Sequence, residues 1–126
     1  MRRLAIIAVL ALTGTHADAQ PEAGTVFAQR QADLVALAGH LGGLHRLRQV
    51  CHPEEDPDRY RDRLMAIIPV EVPKGSTRLD MIAAFNAGYR AKASEHAICG
   101  REARSATSAE AEAALIVTER LYAPFR

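Results

Sequence analysis

The cysteines Cys51 and Cys99 are the only two in this chain of 126 residues. Two thiols in a small domain form a disulfide when the protein folds in an oxidising compartment. In the chain-entropy model, closing a loop of about 49 residues stabilises the fold by roughly 4 kcal/mol. Since that is a large share of the stability of a domain this size, the cysteine pair constrains the fold strongly if the chain is exported.

Residues 1–19 have the layout of a secretory signal peptide. Two arginines precede an apolar run over residues 4–12, and Ala17 and Ala19 are small residues at the positions that a signal peptidase reads. The run is less than half of the roughly 20 residues that a membrane-spanning helix needs. We therefore expect cleavage before Gln20, a periplasmic location and no stable membrane span in the mature chain.

The remaining chain has the composition of one helical domain. Without the signal peptide, basic and acidic residues are equal in number, so no charged surface for nucleic acid or an anionic membrane is expected. Alanine is frequent, tryptophan is absent, and valine and isoleucine are sparse, which favours helix over sheet. We expect residues 20–24 to be a flexible leader and residues 25–126 to form a single all-α domain.

Apolar spacing and helix-ending residues predict a small bundle of three to four helices. The predicted helices span residues 25–50, 57–68, 77–99 and 108–122.

Capping residues set these predicted boundaries. Thr25 and Asp56 are expected to cap the first and second helices, and Pro69 is expected to end the second. Thr77 and Thr107, each followed three residues later by an acidic residue, predict capping boxes at the start of the third and fourth helices.

Both cysteines fall at the C-termini of predicted helices, on or at the edge of the apolar faces. The first and third helices run parallel in an up-down bundle, so their C-termini lie at the same end. This arrangement predicts a Cys51–Cys99 disulfide.

The disulfide also predicts a register between the two helices, in which partners differ by 48 in number. Leu41 is then expected to lie beside Tyr89. Gly88 falls next to Gly39 and Gly42, and glycines facing each other would let the two helices approach closely.

Three stretches resemble an uncharacterised family of short exported bacterial proteins. They are LGGLHRLRQVC (residues 41–51), YRDRLMAII (60–68) and AAFNAGYR (83–90), followed by the second cysteine. The resemblance covers roughly residues 34–121. It implies a helical exported domain with paired cysteines, and it implies no activity.

A metal site is the main alternative to the disulfide. Cys51, His52, His96 and Cys99 are residue types that bind zinc. Adjacent Cys51 and His52 cannot easily bind one ion together, and export favours oxidation of the thiols, so we expect no metal or other cofactor. The acidic residues in 54–58 lack the spacing of a calcium-binding EF-hand.

A catalytic role has little support in the sequence. Ser94 and His96 point in different directions on a helix, and the G-x-S-x-G motif of serine hydrolases is absent. An enzyme or thiol-redox protein that uses Glu95, His96 or the Cys51–Cys99 pair remains the alternative.

A polar cluster is the candidate binding site. Asn86, Tyr89 and Arg90 share a face of the third helix, and His45 and Arg48 can approach them from the first. Such groups can bind a carboxylate or phosphate, or they can form an internal hydrogen-bond network.

The sequence therefore predicts a non-enzymatic module of the periplasm or envelope. Its partner is expected to be an envelope protein or a small polar ligand. A deep polar pocket would favour the ligand, and an exposed apolar patch would favour the protein partner.

Overall fold

The computed structural model describes residues 20–126, which form four α-helices and no strand. The helices are α1 (Gln20–Cys51), α2 (Arg59–Glu71), α3 (Ser76–Glu95) and α4 (Arg101–Tyr122), followed by a short 3₁₀ helix (Ala123–Phe125). The predicted all-α bundle with one disulfide is confirmed. The predicted signal peptide lies outside the described residues.

The longest helix, α1, is the centre of the bundle, and the other three helices pack against it. Its leucines recur every three or four residues, so they form one stripe along the helix. All five are buried: Leu34, Leu37, Leu41, Leu44 and Leu47. None of the helices between residues 20 and 126 combines the length and the apolar character that a membrane crossing requires.

The two helices α1 and α3 run parallel and touch through their backbones. A Cβ atom added to Gly42 would overlap the carbonyl group of Phe85. A Cβ atom added to Gly88 would overlap the carbonyl oxygen of Gly39 and lie 3.1 Å from the backbone nitrogen of Gly43. The predicted close approach of glycines on the two helices is confirmed.

The side chains beside this contact differ from the predicted pairing. Leu41 faces α2 and α4, while Tyr89 lies against His45 and donates a hydrogen bond from its hydroxyl to Gln49 Oε1 at 3.0 Å. The reason is the short distance between the backbones of α1 and α3, which leaves room for glycine but not for leucine between them.

α4 also packs against α1 and runs antiparallel to it. Arg120 Nη2 lies 2.7 Å from Asp33 Oδ1, and His40 Nδ1 lies 2.7 Å from Glu110 Oε2. The hydrogen bond from Arg120 lowers the pKa of the buried Asp33 carboxyl group below its ordinary value, although burial acts against it. The carboxylate is therefore ionised and fixes the position of α4 along α1.

The predicted disulfide joins Cys51 to Cys99, with the two Cα atoms 4.9 Å apart. Cys51 is the last residue of α1, as expected, but the prediction that Cys99 ends the third helix is wrong. α3 ends at Glu95, and the cysteine lies in the turn that follows. This turn is needed because α4 already begins at Arg101, so the chain must reverse between the two helices.

The beginnings of α1 and α4 differ most from the prediction. α1 begins at Gln20, so residues 20–24, predicted to be a leader before the first helix, are part of that helix. Thr25 is inside the helix, where its hydroxyl donates to the Glu22 carbonyl oxygen at 2.8 Å. Thr107 likewise lies within α4, and its hydroxyl donates to the Ala103 carbonyl oxygen. A threonine hydroxyl bonds to its own helix as readily as it caps one, and this explains the errors.

The observed boundaries of α2 and α3 differ from the predicted ones by smaller amounts. α2 follows Asp58 and not Asp56, whose backbone has a positive φ of 46°. It continues past Pro69, because a missing N–H costs little in the last turn when the following residues still bond back to the helix. α3 begins at Ser76, one residue before Thr77, and Gly75 precedes it with a φ of 99°.

Candidate functional site

An open apolar cavity of about 550 Å³ lies between α2 and α4, above the leucine stripe of α1. We call it the leucine cleft. Its floor is formed by Leu34, Leu37, Leu41 and Leu44. Its walls include Tyr60 and Ile67 from α2 and Leu115, Leu121 and Tyr122 from α4.

The leucine cleft is open because α2 is short and packs less extensively on α1 than α3 or α4 does. On the other wall, the small side chains Ala111 and Ala114 face the floor and leave it uncovered. The rim consists of apolar side chains in contact with solvent: Leu115, Tyr122 and Phe125 are 58%, 62% and 73% exposed. Exposed apolar side chains beside an apolar cavity are typical of a binding site.

Arg30 closes one end of the leucine cleft. One guanidinium nitrogen lies 2.6 Å from Glu71 Oε2, and another donates to the Leu121 carbonyl oxygen at 3.1 Å. The guanidinium group also lies 5.6 Å from the centre of the Phe125 ring. The contact between the start of α1 and the end of α2 shows that these two helices are antiparallel.

The other end of the leucine cleft contains Tyr60 and Arg63, both in the first half of α2. Because α2 is antiparallel to α1, these residues lie toward the Leu44 end of the floor. Arg63 is exposed, and no residue within 20–126 forms an ion pair with it. This end therefore offers a cation and a phenol beside an apolar surface.

Of the five residues predicted to form a polar cluster, the structure brings His45 and Tyr89 together. The ring of His45 lies 5.5 Å from that of Phe85 and 5.7 Å from that of Tyr89. Gln49 contacts both, through the Tyr89 hydroxyl at 3.0 Å and His45 Nε2 at 3.3 Å. These contacts form an internal network between α1 and α3, and the sequence reasoning missed Gln49 although it lies one turn after His45.

The other three residues of the predicted cluster lie apart. Arg48 donates from Nε to the carbonyl oxygens of Glu55 and Asp56, at 2.8 and 2.9 Å, and so holds the α1–α2 loop. Asn86 and Arg90 are exposed on α3. The predicted residues therefore do not converge on one pocket.

His45 is 5% exposed, and its Nδ1 atom is buried without a hydrogen bond. Burial lowers the pKa of the imidazole below its ordinary value. Asp58 and Asp62 act against this effect, and Arg61 reinforces it. The imidazole ring is therefore neutral near pH 7. In this form it packs against the rings of Phe85 and Tyr89.

The candidate catalytic residues Glu95 and His96 belong to an ionic network that links three helices. Lys92 Nζ lies 2.9 Å from Glu95 Oε2 and 3.3 Å from Glu110 Oε1, which also pairs with His40. The hydrogen bond that Lys92 donates to Glu95 lowers the pKa of the Glu95 carboxyl group and raises the pKa of the Lys92 ammonium group. A carboxylate with a lowered pKa is a weaker proton acceptor. The network is therefore better suited to holding the three helices together than to acid–base catalysis.

The cysteines of the considered metal set are bonded to each other and cannot supply thiolates. Within the described part of the chain, no group of three or more histidine, cysteine, aspartate or glutamate residues is arranged to hold a metal ion.

Comparison with known proteins identifies a family. A family model described as "Protein of unknown function (DUF2385)" matches residues 30–125. No curated protein and no solved structure matches the chain. The matched range contains both cysteines and every residue that lines the leucine cleft.

Proposed function

The chain belongs to the DUF2385 family, whose function is unknown, and we propose that it is a non-enzymatic exported module that binds an apolar ligand chain in the leucine cleft. The observation that carries this proposal is the open apolar cavity with its exposed rim. The proposed ligand differs from the small polar one expected from the sequence, because the residues expected to bind that ligand lie apart.

The size and lining of the leucine cleft support the proposal. Its volume of about 550 Å³ is within the roughly 300–1,000 Å³ typical of small-molecule sites. A ligand that covers the rim removes the exposed surface of Tyr122 and Phe125 from water, and each square ångström of apolar surface buried contributes about 25 cal/mol. The floor provides four leucines and no polar side chain.

The proposed periplasmic location is supported by two features. Residues 1–19 have the pattern of a signal peptide. The Cys51–Cys99 disulfide is the form that a cysteine pair takes in an oxidising compartment.

An enzymatic role of the leucine cleft has less support. The Thr118 hydroxyl in its wall donates to the carbonyl oxygen of Ala114 in its own helix. Glu71 is paired with Arg30 at the closed end. Neither is arranged as a nucleophile with an adjacent base.

Binding of a polarity-sensitive apolar dye, N-phenyl-1-naphthylamine, tests the proposal. The oxidised protein comprising residues 20–126 is expected to enhance the dye fluorescence with saturation at one site. Ala111 is exposed and lines the cleft, so Ala111→Phe fills it and is expected to weaken binding about tenfold.

Ala109→Phe is the matched control, since Ala109 is exposed on the same helix and does not line the leucine cleft. This variant is expected to bind the dye like the native protein. The proposal is wrong if the native protein does not enhance the fluorescence, or if both variants bind the dye equally well.

A further inference from the structure

We propose that the ligand of the leucine cleft is a free long-chain carboxylate, with its acyl chain over the leucines and its head group bound by Arg63 and Tyr60. This inference rests on the proposed function and adds the chemical class of the ligand. It follows from the charges, the polarity along the cleft and the dimensions of the cavity.

The charges in the lining leave one cation uncompensated. The charged residues that line the leucine cleft are Arg30, Arg63 and Glu71. The first and last form an ion pair at 2.6 Å, so they neutralise each other. Arg63 has no such partner within residues 20–126, and a guanidinium group binds a carboxylate through two parallel hydrogen bonds.

Tyr60 lies beside this cation. It precedes Arg63 by three residues on α2, so both side chains are on the same face of the helix. Its hydroxyl can donate a hydrogen bond to a carboxylate oxygen, while its ring adds to the apolar wall.

The leucine cleft has an apolar floor with a charged group at each end, and among the described residues only the charge of Arg63 is without an ion-pair partner. From Leu44 to Leu34 the floor extends about 15 Å, at 1.5 Å per helical residue. Arg30 and Phe125 close the far end. An amphiphile therefore binds in one orientation, with its head group at Arg63 and its chain directed toward Arg30.

A peptide segment fits the leucine cleft less well. A helix is about 10–12 Å across, so only one face of it could enter an open cavity of about 550 Å³, and the rest would stay in water. An extended peptide would bury backbone N–H and C=O groups against leucine side chains, which provide no hydrogen bonds, and each unpaired group costs free energy. A hydrocarbon chain has neither problem.

Displacement of N-phenyl-1-naphthylamine from the oxidised protein tests the inference. Dodecanoate is expected to displace the dye at about tenfold lower concentration than dodecanol or dodecyltrimethylammonium, which have the same chain length. All ligands are used below the concentration at which they form micelles.

The variant Arg63→Gln is expected to lose the preference for dodecanoate over dodecanol, measured as the ratio of the concentrations at which the two ligands displace the dye from that same variant. Arg59→Gln is the matched control, because it removes one positive charge from an exposed position on the same helix outside the leucine cleft. It is expected to retain the preference.

The outcomes separate the two proposals. If the dye binds and dodecanoate shows no preference, or if Arg59→Gln loses the preference as fully as Arg63→Gln, the inference is wrong while the apolar binding function stands. If an acidic amphipathic peptide or vesicles of anionic phospholipid displace the dye and dodecanoate does not, the inference is also wrong. If no dye binds, both proposals fail.

Discussion

The backbone of Gly42 in α1 lies directly against the backbone carbonyl group of Phe85 in α3, with no side chain between them. This contact brings the two parallel helices close together. It also turns the leucine stripe of α1 away from α3 and toward α2 and α4, where it forms the floor of the leucine cleft. The glycine contact thus positions the candidate site although it contributes no atom to it.

Gly42→Ala is expected to lower the free energy of unfolding by about 1–3 kcal/mol, since the added methyl group overlaps a backbone that cannot move without shifting a helix. Urea unfolding followed by circular dichroism measures the change. Gly24→Ala is the control, because it lies in the same helix with no atom within 4 Å of its added Cβ. That variant is expected to be at least as stable as the native protein. Equal stability of the Gly42→Ala variant and the native protein would contradict the close contact.

Loss of the Cys51–Cys99 disulfide is expected to lower the free energy of unfolding by roughly 4 kcal/mol, because the unfolded chain regains the entropy of an open loop. The measurement compares urea unfolding of the native protein with and without dithiothreitol. A variant with both cysteines changed to serine should match the reduced protein and should not respond to the reductant. Two titratable thiols in protein purified under oxidising conditions would show that the bond is absent.

The buried His45 is expected to make stability depend on pH. Its folded pKa is lowered by burial, so the unfolded chain binds a proton first as the pH falls. Its contribution to stability is fully present above the ordinary value of 6.5. It decreases as the pH falls from there toward the lowered folded pKa.

Thermal unfolding at a series of pH values tests this prediction. Native protein is expected to lose stability below pH 6.5, and His45→Gln is expected to show a smaller loss over the same range. The control is His52→Gln, which changes an exposed histidine in the same part of the chain. A pH dependence that disappears in the His52 variant and persists in the His45 variant would contradict the assignment.

Export is expected to produce a mature chain that begins at Gln20, since the signal-peptide pattern ends at Ala19. Intact-mass measurement of the protein from a periplasmic extract determines its first residue. Replacing the apolar residues 4–12 by polar ones is expected to leave the precursor uncleaved in the cytoplasm. Recovery of the full-length chain from the periplasm would show that residues 1–19 are not removed.

The candidate site could be predicted only in part. Helical spacing predicts the apolar positions of α1 and the internal contact of Tyr89 with the first helix. This spacing is the recurrence of apolar residues every three or four positions, which can be recognised in a short stretch of sequence. Asn86 and Arg90 could not be placed relative to His45, because spacing shows which residues share a face and not the angle at which that face meets another helix. The ion pair between Arg30 and Glu71 joins residues far apart in sequence, and no local signal indicates it.

The sequence by itself determined the helical content, the Cys51–Cys99 pairing and the close approach of glycines on two parallel helices, because these depend on spacing, residue size and the chemistry of two thiols. Only the tertiary structure decided that Cys99 lies beyond α3 and that the leucines face an open cavity. A cavity is the space left when neighbouring helices meet at particular distances and angles. Those distances and angles result from all the packing contacts together, so no single stretch of sequence specifies them.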